Sequence, residues 1–345
     1  MGTWIASTPI SASDEIGCPC DEDDDVPGSL AETQFAICDS HHHLWSLPGK
    51  DYLLPDLLAD AAGVPQVAKT VHVEWRSHYR PDGPEHLRVV GETSFAAEAA
   101  LSQARPGFAP CAGIVGFADL RLGARVDEVL EAHILAGAGH FRGLRYVASW
   151  DEDPDVLGGT AAPGPGLYGE RDFREGFARL SRFGLTFDAW LFQTQLDDVA
   201  ALADAFPDQP IVLNHVGGVL GSGPYAGQKR EMRERWRASL AEVARRPNVW
   251  LKLGGLGMTR CGIVPNAIPG ESEAATVARA WRPWIEPAIA LFGADRCMFE
   301  SNFPVDKPIC AYDILWEAFH LIVRAASAGE RKDLFCRTAE RFYRI

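Results

Sequence analysis

Short apolar or β-branched runs recur along this chain, and most of them end on a charged or imidazole side chain. In order they are FAICDS, KTVHVEW, CAGIVGFADL, FRGLRYVA, LTFDAW, PIVLNHVGG, NVWLKLGG and RCMFESN. Their length and residue types predict strands. Between them lie EHLRVVGETSFAAEAALSQ, ARVDEVLEAHILAG, ERDFREGFARLSRFG, LDDVAALADAF, KREMRERWRASLAEVARR, SEAATVARAWRPWIEPAIALFG and YDILWEAFHLIVRAAS. Several of these place apolar residues near helical spacing, and some stop at Gly or Pro, which predicts helices. Eight strands alternating with helices fit an α/β fold of the parallel (β/α)8 barrel type, a TIM barrel. A doubly wound open sheet is the alternative. No GxGxxG follows the first strand and no Walker loop exists, so nucleotide binding has little support.

Residues 1–32 break the pattern. They are rich in Ser, Pro, Gly and acid and end in CPCDEDDDVPG, which reads as a flexible acidic N-terminal arm ahead of a single barrel domain over 33–345. Two long connections, 148–169 and 257–272, are rich in Gly and Pro and are expected to be lids or pocket walls. With 345 residues, 47% of them hydrophobic, the chain supports one large domain or two small ones. A formal net charge of −14 argues against binding nucleic acid or an anionic membrane by bulk charge. No run approaches the length of a membrane span, and the start shows no secretion signal. The eight cysteines are scattered. Cys38, Cys111 and Cys297 lie in apolar runs, as buried thiols do. Cys18-Pro-Cys20 has no second pair at zinc-finger spacing. A reducing cytoplasm fits this usage. Trp281, Trp284 and Trp316 are expected in the core, with a contact in a homo-oligomer as the other reading.

The chemistry begins at DSHHHLW, residues 39–45. Side chains alternate faces along an extended segment, so Asp39, His41 and His43 are expected on one face, Ser40 and His42 on the other. Two imidazoles spaced i, i+2 at a strand end can converge on one ion or one substrate oxygen. In a barrel both strand faces are covered, so a charged side chain is costly unless it reaches the open C-terminal mouth. This chain carries His41 and His43 on the first strand, His72 and Glu74 on the second, Arg145 on the fourth, Asp188 on the fifth, His215 on the sixth, Lys252 on the seventh and Glu300 on the eighth. Together they point to a polar pocket, and Arg76 and Asn214 join Glu74, Arg145, Asp188 and Lys252 as candidate substrate contacts. His72 is equally a hydrogen-bonded core histidine. Lys252 reads equally as a salt-bridge partner of Asp188, Glu74 or Glu300, whereas for Arg145 a substrate role is favoured over such a pairing.

DSHHHLW, VHVEW, FRGLRY, PIVLNHVGG and CMFESNFPVDK together resemble the amidohydrolase-related group of the amidohydrolase superfamily, closest to its lactonase branch. The resemblance runs from about residue 35 to the C-terminus. It implies a (β/α)8 barrel that hydrolyses a lactone or a related bond. It matches the family's HxH to His41 and His43, and its strand-six histidine to His215. Members differ in metal use: some carry a divalent ion, here zinc or manganese, and others work without one. One departure is marked. The family usually ends strand eight in a pattern like GSDWP, whose Asp is a general base or metal contact, whereas this chain has ESNFP, with Asn302 at that position. A neutral amide cannot take a proton from water as a carboxylate can. Glu300, two residues earlier, is expected to replace that carboxylate, with Asp306 from the following loop as the alternative.

The expected reaction is water attack on an ester carbonyl. His41, His43, His215 and Glu300 would hold an ion, or the histidines would donate directly to the carbonyl oxygen. Glu300 or Asp306 would take the proton, with Asn302 and Asn214 orienting groups by hydrogen bonds. Arg145 is expected to grip a substrate carboxylate and Lys252 to add charge, which suggests an anionic or sugar-acid lactone as the small-molecule substrate. A metal-dependent decarboxylase, a C–C or amide hydrolase, and a ligand-binding barrel without turnover are the competing readings.

Overall fold

A computed structural model of the chain describes residues 28–102, 105–157 and 163–345. The acidic run and Cys18-Pro-Cys20 lie outside these residues. Eight strands form: β1 (Ile37–His42), β2 (Val67–Val73), β3 (Ala109–Gly116), β4 (Phe141–Val147), β5 (Thr186–Trp190), β6 (Ile211–Leu213), β7 (Val249–Leu253) and β8 (Cys297–Phe299). They pair in chain order, and every pair is parallel. A helix follows each strand in turn: α1 (Leu54–Ala61), α2 (Val90–Leu101), α3 (Val126–Ala136), α4 (Arg171–Phe177), α5 (Leu196–Ala205), α6 (Lys229–Ala244), α7 (Glu273–Phe292) and α8 (Tyr312–Val323). A last helix, α9 (Thr338–Tyr343), follows. The chain is therefore a (β/α)8 barrel. Helix α1 is not among the helices the apolar spacing predicts. It is two turns long and has Pro55 in its first turn, where proline is tolerated because that N–H has no helical partner.

Two apolar regions hold the barrel. The larger lies between the sheet and the helices and includes Trp281 and Trp316, both fully buried. The smaller fills the lower lumen with Cys38, Val71, Val73, Val115, Val212 and Met298, closed by Phe342 and Tyr343 of α9. Among the described residues no helix is long and apolar enough to cross a membrane.

The seam between β1 and β8 closes the ring, and it is not a regular ladder. His42 bridges Phe303, the His43 N–H donates to the Phe303 carbonyl at 2.8 Å, and the Asn302 N–H donates to the His41 carbonyl at 2.9 Å. The Asp39 carboxylate completes it. Asp39 accepts from the Ser301 N–H at 2.8 Å, the Ser301 hydroxyl at 2.6 Å and the Tyr312 hydroxyl at 2.9 Å.

Asp39 is thus not on the face of His41 and His43. Asp39 pairs with Thr70 and His42 with His72, three steps on β1 against two on β2. This is a β-bulge, one extra residue that reverses the alternation. Cys38 faces the lumen below the bulge. His41 and His43 face it above, where strict alternation from Cys38 would have presented Ser40 and His42. His42 points outward to the Thr70 hydroxyl, 2.9 Å from its Nε2.

Above the apolar floor the lumen turns polar. The Lys252 ammonium lies 2.7 Å from Asp188 Oδ2, and both side chains are fully buried. Asp188 also accepts from the Tyr343 hydroxyl at 2.9 Å and from Asn214 Nδ2 at 3.0 Å. Removing one member of such a pair strands the other charge in a low dielectric. Asp188→Ala is expected to cost about 3–5 kcal/mol in urea unfolding. Adding Lys252→Met should recover part of that loss, and additive effects in the double variant would mean the two do not act as a pair.

Candidate active site

The imidazoles of β1 meet at the C-terminal end of the lumen. His41 Nε2 and His43 Nε2 are 3.2 Å apart. His43 Nδ1 lies 2.7 Å from the Val73 carbonyl, a bond only a ring N–H can make, so its Nε2 carries the lone pair. His41 Nδ1 has two neighbours, Lys252 Nζ at 3.3 Å and Glu300 Oε2 at 2.9 Å. His215 begins the turn after β6 with a φ of 55°, and Val216 follows at 52°. This left-handed stretch turns the His215 ring back over the barrel mouth. Its Nδ1 lies 2.7 Å from Glu300 Oε1, and its backbone N–H donates to the same oxygen at 3.0 Å.

Glu300 therefore stands behind two imidazoles, one carboxylate oxygen toward each. It is fully buried and does not line the cavity. Two glycines after β7 make room for this arrangement. A Cβ on Gly254 would lie 2.5 Å from Glu300 Cγ, and one on Gly255 would lie 2.4 Å from His215 Nδ1. Nothing in the residue pattern marks this Gly-Gly pair as part of a site. Burial pushes the pKa of His41, His43 and His215 below the usual imidazole value. The Lys252 cation adds to the effect at His41, and Glu300 opposes it at His215. All three rings are thereby held neutral near pH 7, able to accept a proton or a metal.

A cavity of about 700 Å³ opens at His215; His41 and His43 are fully buried and do not line it. Glu74, Arg76, Arg145, His215 and Asn302 line it; Asp188, Asn214 and Lys252 do not, being engaged with one another beneath His41. Arg145 is already paired. Its Nε donates to Glu74 Oε1 at 2.9 Å, its Nη2 to the Glu74 carbonyl, and its Nη1 is 3.5 Å from His41 Nε2. Asn302, at a φ of 54°, donates from Nδ2 to Asp306 Oδ1 at 2.9 Å, and the Gly257 N–H donates to Asp306 at 3.1 Å. Asp306 is fully buried behind Asn302. His72 faces the helix layer, 3.9 Å from Glu92, and not the cavity. Trp75 and Trp190 also line the cavity. Trp190 meets His215 edge-to-face at 4.7 Å, and Trp75 and Trp45 pack on His43 and on each other. Arg260, from the 257–272 connection, also lines the cavity. Nothing in the residue pattern singled it out, because it lies far from any strand end.

The (β/α)8 barrel thus brings together paired histidines at the end of β1, a histidine after β6 and a carboxylate after β8. Residues 38–345 match the Amidohydrolase family, and the chain belongs to it. It is 33% identical to the uncharacterized protein y4mH of Sinorhizobium fredii over 91% of this chain and 100% of that one. It is 28% identical to an L-fucono-1,5-lactonase of Burkholderia multivorans, over 89% and 95% of the two chains. A crystal structure of an amidohydrolase from Burkholderia multivorans with bound zinc superposes with a TM-score of 0.67 at 26% identity, covering 90% of this chain and 99% of that one.

The donor set here fits a divalent ion. The 3.2 Å between His41 Nε2 and His43 Nε2 is close to the separation of two ligand nitrogens on a tetrahedral ion, about 3.3 Å for bonds of ~2.0–2.1 Å. The Val73 carbonyl fixes the His43 tautomer, as a second partner does for ligating histidines. Glu300 Oε2 is a buried carboxylate oxygen with the His41 ring 2.9 Å away at Nδ1. Donor atoms of His41, His215 and Glu300 lie within 4.8 Å of one another.

Two buried acids set the response to pH. Burial raises Asp39 to about 6 and Asp306 to about 7, against the hydrogen bonds that favour their ionised forms. An acid raised on folding holds a proton that the unfolded chain gives up. Its contribution is full below the unfolded value, about 4, and is lost as pH rises through the folded value. Urea unfolding should therefore show the contribution of these two groups falling between pH 4 and 7. Asp306→Asn should flatten the upper part of that fall, and an unchanged slope would show that Asp306 does not carry it.

Proposed function

We propose that this chain is a lactonase in which His215, backed by Glu300, is the general base. One observation carries the reading. Glu300 and Asp306 both stand behind the cavity wall, whereas His215 lines it with Nδ1 bound to Glu300 and Nε2 left for a substrate or water. Glu300 thus acts through the imidazole: it fixes the tautomer and stabilises the imidazolium formed when His215 takes the proton. The resemblance to a relative named L-fucono-1,5-lactonase supports the choice of a lactone.

Water attacks the ester carbonyl as its proton passes to His215. Arg145, pinned by Glu74 with Nη1 toward His41, supplies positive charge where the oxyanion develops. Asn302, held by Asp306, presents its remaining amide oxygen. The ring C–O bond then breaks, and His215 returns the proton to the departing oxygen. A zinc or manganese ion held by His41 and His43 would polarise the carbonyl as a Lewis acid, leaving His215 and Glu300 to move the proton. Lys252 and Asp188 support His41 from below rather than meeting substrate. The six cysteines among the described residues are all free and buried, which supports a reducing, cytoplasmic setting.

Acid release from a panel of aldono- and aldarolactones tests the reaction. Glu300→Gln and His215→Gln are each expected to lower kcat by about 10²–10⁴, the usual worth of a general base. Near-normal turnover in Glu300→Gln would remove the dyad from the mechanism. Protein purified without chelator should retain about one equivalent of zinc or manganese, the capacity of a single site, and lose it in His41→Ala. Full metal content in that variant would place the ion elsewhere.

A further inference from the structure

The cavity and the rest of the molecule differ in charge. The chain carries a net −14, yet among the described residues Arg76, Arg145 and Arg260 line the cavity against only Glu74 and Asp155. Arg145 and Glu74 neutralise each other at 2.9 Å. Arg76 is exposed to solvent. Arg260 is the unusual member. Its Nη1 is buried and has no hydrogen-bond partner among the described residues, and no carboxylate pairs with its guanidinium there. What it does contact is aromatic: Cζ lies 5.4 Å from the Phe192 ring and 6.0 Å from the Trp190 ring.

The backbone holds this side chain in place. The Arg260 carbonyl accepts from the Gly221 N–H at 2.9 Å, the Ser222 N–H at 3.2 Å and the Ser222 hydroxyl at 3.2 Å. The connection after β6 is thereby tied to the connection after β7. The contact is too tight for side chains. A Cβ on Gly262 would lie 2.1 Å from the Gly221 carbonyl oxygen, and one on Gly221 would lie 2.3 Å from the Cys261 carbonyl oxygen. A rigid mount thus carries a cation partly withdrawn from water, and burial lowers its pKa. An unpaired cation in such a place costs stability unless something returns the lost hydrogen bonds. Cation–π contact offsets part of that cost but leaves the buried Nη1 donors unused.

We infer that Arg260 is the anion subsite of this cavity and that the lactone opened here carries a carboxylate away from its reacting ester. This rests on the lactonase reading above and narrows its substrate class. Trp190 neighbours both groups, 6.0 Å from Arg260 Cζ and 4.7 Å from the His215 ring, so the carboxylate would bind at Arg260 while the ester faces His215. A guanidinium with free N–H groups suits the planar, two-oxygen geometry of that ligand. Arg145 and Lys252, the cations the sequence pattern favours for this task, already have carboxylate partners.

A matched pair of lactones tests the assignment. D-glucaro-1,4-lactone and D-glucono-1,4-lactone differ only at C6, carboxylate against hydroxymethyl. The wild type should prefer the glucarolactone in kcat/KM. Arg260→Gln should erase that preference, a loss of about two to three orders of magnitude, as for truncating one side of a buried charge pair. Arg260→Lys should recover part of it. Calorimetric binding of D-glucarate to wild type, Arg260→Gln and Arg260→Lys reads the subsite without turnover. Binding to wild type that weakens in the Gln variant supports the subsite even if neither lactone is opened, in which case the lactonase reading alone fails. No binding to wild type, or equal binding to wild type and Arg260→Gln, overturns the subsite. Turnover with an unchanged preference in Arg260→Gln also overturns it and leaves the lactonase reading standing.

Discussion

The clasp between Asp39 and the residues after β8 is the constraint on which the site depends. A barrel is a sheet closed on itself, and the last seam must be made by strands that began far apart in the chain. Here β8 has only three residues, too few for a ladder along all of β1. The Asp39 carboxylate supplies the missing bonds by gathering the Ser301 backbone, the Ser301 hydroxyl and Tyr312 of α8. With Ser301 held, Glu300 is set behind the imidazoles on one side of it and Asn302 at the cavity on the other. The same residue opens the bulge that turns His41 and His43 inward. Closure and the aim of the histidines are thus one local event.

That coupling explains what the residue order reveals and what it hides. The barrel was legible because buried parallel strands read as apolar runs, and because polar groups at their ends have nowhere to go but the mouth. His41, His43, Glu74, Arg145, His215 and Glu300 do gather there. The face of Asp39 was not legible, since a bulge moves the alternation by one residue and leaves no mark in composition. The order of layers was hidden as well. Glu300 and Asn302 are two residues apart, yet one stands behind the imidazoles and the other on the cavity wall, because the strand ends at Phe299 and Asn302 turns into the left-handed region. For Lys252 the residue order leaves pocket charge and salt bridge to Asp188 equally open, and the structure makes it the salt bridge, with the Tyr343 hydroxyl on the same carboxylate. Arg260 was invisible for a different reason. Its importance lies in the partners it lacks, and only coordinates show those.

The lumen is layered by how completely each charge is satisfied. At the bottom Lys69 pairs with Glu340 at 2.6 Å. Above it Lys252 and Asp188 form a buried pair with two further donors on the carboxylate. At the level of the rings Arg145 and Glu74 pair, but Arg145 still reaches His41. At the mouth Arg260 has no carboxylate partner among the described residues. Structural charges are closed off deep in the barrel, and unspent bonding capacity increases toward the cavity.

Glu300 limits what the ring cluster can store. It is one carboxylate shared by two imidazoles, with Lys252 and Arg145 already positive beside them. A first added proton finds Glu300 as its counter-charge; a second would have none and would meet three cations. The cluster therefore behaves as a store with room for a single proton, which the two rings can hold only in turn. A hydrolysis that lifts one proton from water and returns it to the departing oxygen needs no larger store.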